Sequence, residues 1–169
     1  MDHIAKQERS RKRIEIILET AEKILLEDGI DQITIANISN RSGLKRTSTY
    51  KFFQTPEAIK SMLISNYLNM CALDFEEKTS NINTSEPSVV VMRSVEILFN
   101  FYSEYESAQK LLLSSSVILP AEKEPFHILS SKIQSFVEMN ISLPDIFNKD
   151  GVFRVITQII LSIFSLNTK

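Results

Sequence analysis

Apolar residues recur at steps of three and four along almost the whole chain, the periodicity of helices that each bury one face. Ile14, Ile17, Leu18, Ala21, Ile24 and Leu25 share a face, while Glu15, Glu19, Glu22 and Lys23 fall elsewhere. Ser10 is placed to cap this helix and Asp28-Gly29 to stop it, because glycine takes the left-handed conformation that closes a helix. Thr34 is placed to cap a second, short helix that ends at Gly43, and a third fits Lys45 to Phe53. Thr55-Pro56-Glu57 then reads as a helix start, with a capping hydroxyl, proline in the first turn and an acid beside it. That helix carries Ile59, Met62, Leu63, Met70 and Leu73 and reaches about Lys78, before a polar loop from Thr79 to Ser88.

The remaining pattern is helical as well. Val89 to Tyr105 is apolar around most of its circumference, with Val91, Val95, Leu98, Tyr102 and Tyr105 in one stripe and Met92, Phe99 and Phe101 widening it. Such a helix is expected to be central, with neighbours on several sides. A short helix over Ser107 to Ser115 follows. After Pro120, a helix from near Pro125 carries Phe126, Leu129, Ile133, Phe136 and Val137, and Asp150 is placed to start a last one. Val89-Val90-Val91 is the one β-like run, and its helical stripe continues for fourteen more residues. The three glycines, Gly29, Gly43 and Gly151, fall at the helix boundaries. The expected class is all-α, with eight helices.

Composition narrows the function. With 43% hydrophobic and 24% charged residues, the 169-residue chain is globular rather than disordered. One cysteine, Cys71, permits no internal disulfide, and three glycines are too few for a glycine-rich phosphate loop. The most apolar run, Val152 to Leu166, is too short to span a bilayer and contains Arg154 and Gln158. With a polar, basic N-terminus as well, a cytoplasmic protein without membrane association is expected. The two histidines, His3 and His127, belong to no nucleophile arrangement, and no His/Cys cluster suits a metal. No catalytic site, metal or cofactor is therefore expected, and the chain does not read as an enzyme. Cys71 reads as a small buried hydrophobe, and His127 as a packed or surface side chain.

The informative stretch is Thr34 to Phe53. Two short helices are joined by a tight turn at Gly43, and the second, KRTSTYK over residues 45–51, is basic and hydroxyl-rich. This is the form of a helix-turn-helix, whose second helix enters the DNA major groove. Lys45 and Arg46 lie in its first turn, where side chains reach base edges, and arginine matches guanine O6 and N7. Thr47, Ser48 and Tyr50 offer hydroxyls to phosphates or bases. Ile35, Ile38, Leu44 and Phe53 are the expected small core. The net charge of −2 conceals a division: residues 1–60 hold 11 basic and 9 acidic side chains, and residues 61–169 hold 8 and 12. Lys6 to Arg13 and Arg41 to Lys60 each hold 5 basic and 1 acidic residue.

The segment TIANISNRSGLKRTSTYKFFQTPEAI, residues 34–59, resembles the N-terminal signature of the tetracycline-repressor (TetR) family of bacterial transcriptional regulators. Gly43, Tyr50, Phe53 and Glu57 stand in its register, and the resemblance covers Ile14 to Leu63, about a third of the chain. It implies an N-terminal three-helix DNA-binding domain, residues 1–54, followed by a helical ligand-binding and dimerisation domain, residues 55–169. Thr34 and Tyr50 match family positions that contact phosphate. Lys45, Arg46 and Lys51 match positions that vary between members and meet base edges. Thr47 falls where a small residue is common. Two departures stand out: Lys45 replaces the usual serine cap, and Pro56 replaces a lysine that commonly touches the DNA backbone. Arg11, Lys12 and Arg13 are a candidate basic arm to the backbone, or simply a solvated segment.

For the rest of the chain, Met70, Phe99, Tyr102, Phe126 and Phe136 are candidates to line a ligand cavity, although each taken singly is more often plain core. Ile156, Ile159, Ile160 and Ile163 are the candidate dimer interface, since the last helix is apolar on more than one face and a two-fold dimer suits a palindromic operator. The expected function is a repressor released from double-stranded DNA by an effector of unknown identity. The alternative is a helical interaction module that has lost sequence-specific DNA binding.

Overall fold

The computed structural model describes residues 2–113, 124–145 and 147–166, and these contain eight α-helices, one 3-10 turn and no strand. The helices are α1 (Asp2–Asp28), α2 (Ile35–Ser42), α3 (Arg46–Phe52), α4 (Pro56–Thr79), α5 (Pro87–Glu104), α6 (Glu106–Leu113), α7 (Glu124–Asn140) and α8 (Lys149–Leu166). The expected end of α6 at Ser115 and the break at Pro120 lie outside the described residues. The chain divides into two compact units, Met1–Leu63 and Ile64–Lys169, with the division inside α4. The first two turns of α4 thus belong to the first unit, and they carry the buried Ile59 and Leu63.

In the first unit, α1 packs on α2 and α2 on α3. Ile17, Ala21, Ile24 and Leu25 of α1 are buried together with Ile33, Ile35, Ile38 and Phe53. Gly29, at φ 90°, stops α1 as expected, and its N–H reaches back 3.1 Å to the Ile24 carbonyl. Ser10 does not cap α1. The helix begins eight residues earlier, at Asp2, because nothing from there to Ser10 breaks it and its Lys, Arg, Glu and Gln residues are good helix formers. The candidate basic arm is therefore helical, with Arg11, Lys12 and Arg13 exposed along α1.

In the second unit, α7 packs on α8, α6 on α8, and α5 on both α6 and α7. Its core holds Leu68, Phe75, Leu98, Phe101, Phe126, Leu129, Ile133, Phe136 and Leu161. Phe75 of α4 meets Phe136 of α7 edge-on, with ring centroids 5.9 Å apart. Buried hydroxyls are satisfied within their own helices: Thr79 donates to the Phe75 carbonyl at 2.7 Å, Ser94 to Val90 at 2.8 Å and Thr157 to Phe153 at 2.8 Å. A polar residue so satisfied can face a core without an orphaned group. Asn140 ties the 80–86 loop to α7, accepting the Thr84 N–H at 2.9 Å and donating to the Phe136 carbonyl at 2.8 Å. The start of α8 differs from the expected Asp150. Asn148, at φ 59°, stands just before it, and its side-chain oxygen accepts the Gly151 N–H at 3.1 Å. A Cβ on Gly151 would lie 2.5 Å from the Asn148 side-chain amide nitrogen, so a larger residue there would displace that side chain.

One expectation about α5 is corrected. It buries a single face, made of Val90, Ser94, Ile97, Leu98, Phe101 and Tyr102, while Val91, Met92, Val95 and Phe99 are exposed. Cys71 is buried as expected. Burial above all, and then the Asp74 carboxylate, push its thiol pKa up against the opposing charge of Lys78. Its thiolate is therefore suppressed as well as shielded. A thiol reagent at mildly alkaline pH is expected to label the native chain far more slowly than the urea-unfolded chain; equal rates would place Cys71 at the surface.

Candidate nucleic-acid interface

The two helices of the motif are only eight and seven residues long, so their ends and their contacts must fix them. Thr34, in extended conformation, caps α2: its hydroxyl accepts the Asn37 N–H at 3.1 Å. Asn37 donates in turn to the Gln32 carbonyl at 2.9 Å, tying α2 to the 3-10 turn Ile30–Gln32. Gly43 ends α2 at φ 71°, ψ 3°. Nothing stands within 4 Å of a Cβ added there, so the requirement for glycine is conformational. Ser42 then accepts the Leu44 N–H at 3.2 Å, which fixes the turn.

Lys45 occupies the N-cap position of α3 without a side-chain cap, and with lysine in place of the serine cap the helix begins one residue after it, at Arg46. The Lys45 backbone carbonyl still receives the N–H groups of Ser48 at 2.8 Å and Thr49 at 3.2 Å. Thr49 is fully buried and its hydroxyl lies 3.5 Å from that of Ser39 on α2, a polar seam between the two helices. With Thr49 and Phe53 turned inward, helical geometry puts Arg46, Thr47, Tyr50 and Lys51 on one outward arc of about 140°. All four are exposed, Tyr50 to 52%, and Lys45 is exposed at the head of the arc. Ser48 and Thr34 are half-buried at its flank and at the α2 N-terminus. The structure thus brings the candidate residues of α3 together on one face. After it, Thr55 accepts the Ala58 N–H at 3.2 Å, so Pro56 takes the first helical position of α4, where no N–H is required.

One basic residue of this segment has another task. Arg41, at the C-terminal end of α2, forms a fork to Glu27 and Asp28 at the C-terminal end of α1. Those carboxylates sit at the negative pole of α1, where they are disfavoured, and the guanidinium offsets both them and the α2 pole. Arg41 therefore staples α1 to α2. Sequence reasoning counted its charge but could not find its partners, which lie 13 and 14 residues away.

The other candidates are dispersed. Tyr102, Phe126 and Phe136 are buried, while Met70 and Phe99 are exposed, so the five do not line one enclosed chamber. Tyr102 borders a void of only ≈ 10 Å3, closed by Ile64, Tyr67, Leu68, Ala108, Leu111 and Leu112. Phe136 forms part of an open cleft of ≈ 590 Å3 between the end of α4, the following loop and α7, with Glu76, Lys132 and Met139 at its sides. The charges in that cleft pair with each other, Lys132 to Glu76. On α8, Ile156, Ile159 and Ile163 are exposed and Ile160 is half-buried. The His127 ring is half-buried and lies 3.4 Å from the Arg154 guanidinium. Among the described residues no group of three or more His, Cys, Asp or Glu is arranged to hold a metal, and no helix is long and apolar enough to cross a membrane.

No family model and no curated protein matches the sequence. The fold does have a counterpart among solved structures. The chain is similar to a gamma-butyrolactone receptor (ArpA-like protein) with a TM-score of 0.52 and 13% identity, over 94% of this chain and 81% of that one. At such identity the likeness concerns the all-helical fold.

The turn and the staple make separable predictions. Gly43→Ala is expected to cost about 1–2 kcal/mol of stability, the penalty of a left-handed alanine, and Gly43→Asn less, because asparagine tolerates that region. Chemical denaturation measures both; equal costs would mean that φ is not the cause. Arg41→Gln is expected to cost less than about 1 kcal/mol, since its partners are exposed, and the difference should shrink as salt rises.

Proposed function

We propose that the chain is a DNA-binding transcriptional regulator of the TetR type, acting as a dimer on a palindromic operator and released by a small-molecule effector. The observation that carries this reading is the exposed arc of α3, with Arg46, Thr47, Tyr50 and Lys51 held over a capped and buried support. A helix presented in this way suits the major groove, with Arg46 reading a base edge and Tyr50, Thr47 and Lys51 meeting phosphates or bases. Lys45 and Ser48 sit within reach of the same groove, and Thr34 offers the N-terminus of α2 to a phosphate. Arg11, Lys12 and Arg13 extend the positive surface along α1. The resemblance of residues 34–59 to the family signature supports the reading, and so does the fold shared with a receptor named for a small lactone.

Control would work by population shift. An effector that binds one arrangement of the second unit better than another biases the dimer toward or away from the geometry that fits successive grooves. Because α4 is one continuous helix belonging to both units, it is the natural transmitter. The proposed association is through α8, by way of Ile156, Ile159, Ile160 and Ile163, and a dimer that reads a palindrome needs its two α3 helices about 34 Å apart or somewhat more, the spacing of one DNA turn.

Selection of bound duplexes from a random pool tests binding, symmetry and half-site spacing together. The expected result is an inverted repeat, bound with an affinity that falls by roughly 10³ or more between 50 and 200 mM salt. A flat salt response without a stable complex would favour the interaction module instead. Arg46→Ala is expected to weaken binding to the selected site by about 1–3 kcal/mol and to relax the preference at one position per half-site. An equal loss on selected and random DNA would remove the base-reading role from Arg46.

A further inference from the structure

The hollows of the second unit differ in what encloses them. The void beside Tyr102, ≈ 10 Å3, has room for no more than a water molecule. The hollow at the start of α8, ≈ 640 Å3, is lined by residues between Phe147 and Gln158, so its wall is one helix and the two residues before it. The cleft of ≈ 590 Å3 has walls from three segments: Glu76, Thr79 and Ser80 of α4, Ile82 and Asn83 of the following loop, and α7 from Lys132 to Asn140. That volume suits a small organic molecule. The walls are fixed in place. The Ile82 N–H reaches the Thr79 carbonyl at 3.0 Å, and Asn140 pins the loop to α7 by accepting the Thr84 N–H at 2.9 Å. Phe136, packed edge-on against Phe75, closes the floor.

Electrostatics sets the sign of the ligand. Both α4 and α7 end at this cleft, at Thr79 and Asn140, and a helix C-terminus is a negative pole with carbonyls left over. The donors nearest those carbonyls are neutral: Thr79 donates to Phe75, Ser80 to Glu77 at 2.8 Å and Asn140 to Phe136. They satisfy carbonyls without cancelling the poles. The nearby cations are already paired, Lys78 to Asp74 at 2.8 Å and Lys132 to Glu76 from one wall to the other. Lys132 and Glu76 remain partly in water, at 35% and 52% exposure, and a pair so placed contributes little to stability. It is therefore readily exchanged. Met139, exposed to 77%, and the half-buried Ile82 offer apolar surface in the same cleft.

We propose that this cleft binds a small organic cation with an apolar body. Its ammonium group takes the place of the Lys132 ammonium on the Glu76 carboxylate, beside the two helix poles, and its apolar part lies along Ile82 and Met139. Lys132, on a flexible four-carbon stem, swings into water. Occupancy replaces the direct tie between α4 and α7 with one made through the ligand. Because α4 also belongs to the first unit, the proposal deepens the effector reading above and rests on it for any regulatory consequence. The binding itself does not depend on that reading.

The test follows the amide NMR signals of the isotope-labelled full chain, without DNA, during titration with three probes of similar shape: phenethylammonium, phenethyl alcohol and phenylpropionate. The ammonium is expected to bind most tightly and to shift signals of residues 76–84 and 132–140. Shifts scattered over the surface, no saturation in the millimolar range, or equal binding of phenylpropionate would overturn the site. Two exposed substitutions test the exchange with opposite signs. Glu76→Gln is expected to raise the Kd for phenethylammonium by about 10-fold or more, the scale of a hydrogen bond to a charged group. Lys132→Gln is expected to lower it by about 2- to 5-fold, because the internal competitor is gone. An unchanged Kd in Glu76→Gln, or a raised one in Lys132→Gln, would overturn the exchange of one cation for another. With no DNA in the titration, its failure leaves the DNA-binding reading untouched, and a chain that binds no DNA leaves the cleft and its cation standing.

Discussion

A helix of seven residues does not hold itself together in water, because nucleation costs more than its few hydrogen bonds return. The candidate DNA-reading surface stands on such a helix, so everything useful about α3 depends on what fixes it from outside. Three local devices do so: the Thr34 cap on α2, the left-handed Gly43 between the helices, and the inward pair of Thr49 and Phe53. Each constrains an angle or a face rather than supplying much energy. The energy comes from the apolar face of α1, whose Ile17, Ala21, Ile24 and Leu25 are buried in the same unit. The exposed side of α3 is thereby released from any structural duty and is free to be selected for binding.

Within this unit the sequence was readable because the determinants are local. A threonine before a periodic run, a glycine after it and a Thr-Pro-Glu start act within four residues, and the helix boundaries fell within a residue or two of their places from Thr34 to Pro56. What escaped was non-local or depended on context. Arg41 reads as part of a basic cluster, yet its charge is spent on Glu27 and Asp28, which only the packing of α1 against α2 brings near. Ser10 is a good cap residue by type, but a cap functions only where a helix begins, and the helix had already begun. Asn148 took the role expected of Asp150 because asparagine combines a side-chain acceptor with tolerance of positive φ, a pairing that a search for first-turn acids overlooks.

The second unit was legible in its helices and not in its surfaces. Periodicity reports that a side chain seeks an apolar partner; it does not report whether that partner lies in the same chain. Helix α5 exposes this limit directly. Its near-continuous apolar circumference predicts a central position, and the single chain buries only half of it. The pocket candidates failed to converge for a related reason. Aromatic residues on two helices share a composition with a cavity lining, but Phe126 and Phe136 are spent on the core and Phe99 on the exposed side of α5.

Among the described residues the second side of α5 and the outer side of α8 are both left exposed. Neither side is as polar as a solvated helix face. Phe99 of α5 meets Phe164 on the inner side of α8. Any rotation of α5 that repacks Tyr102 must also move Met92 and Phe99.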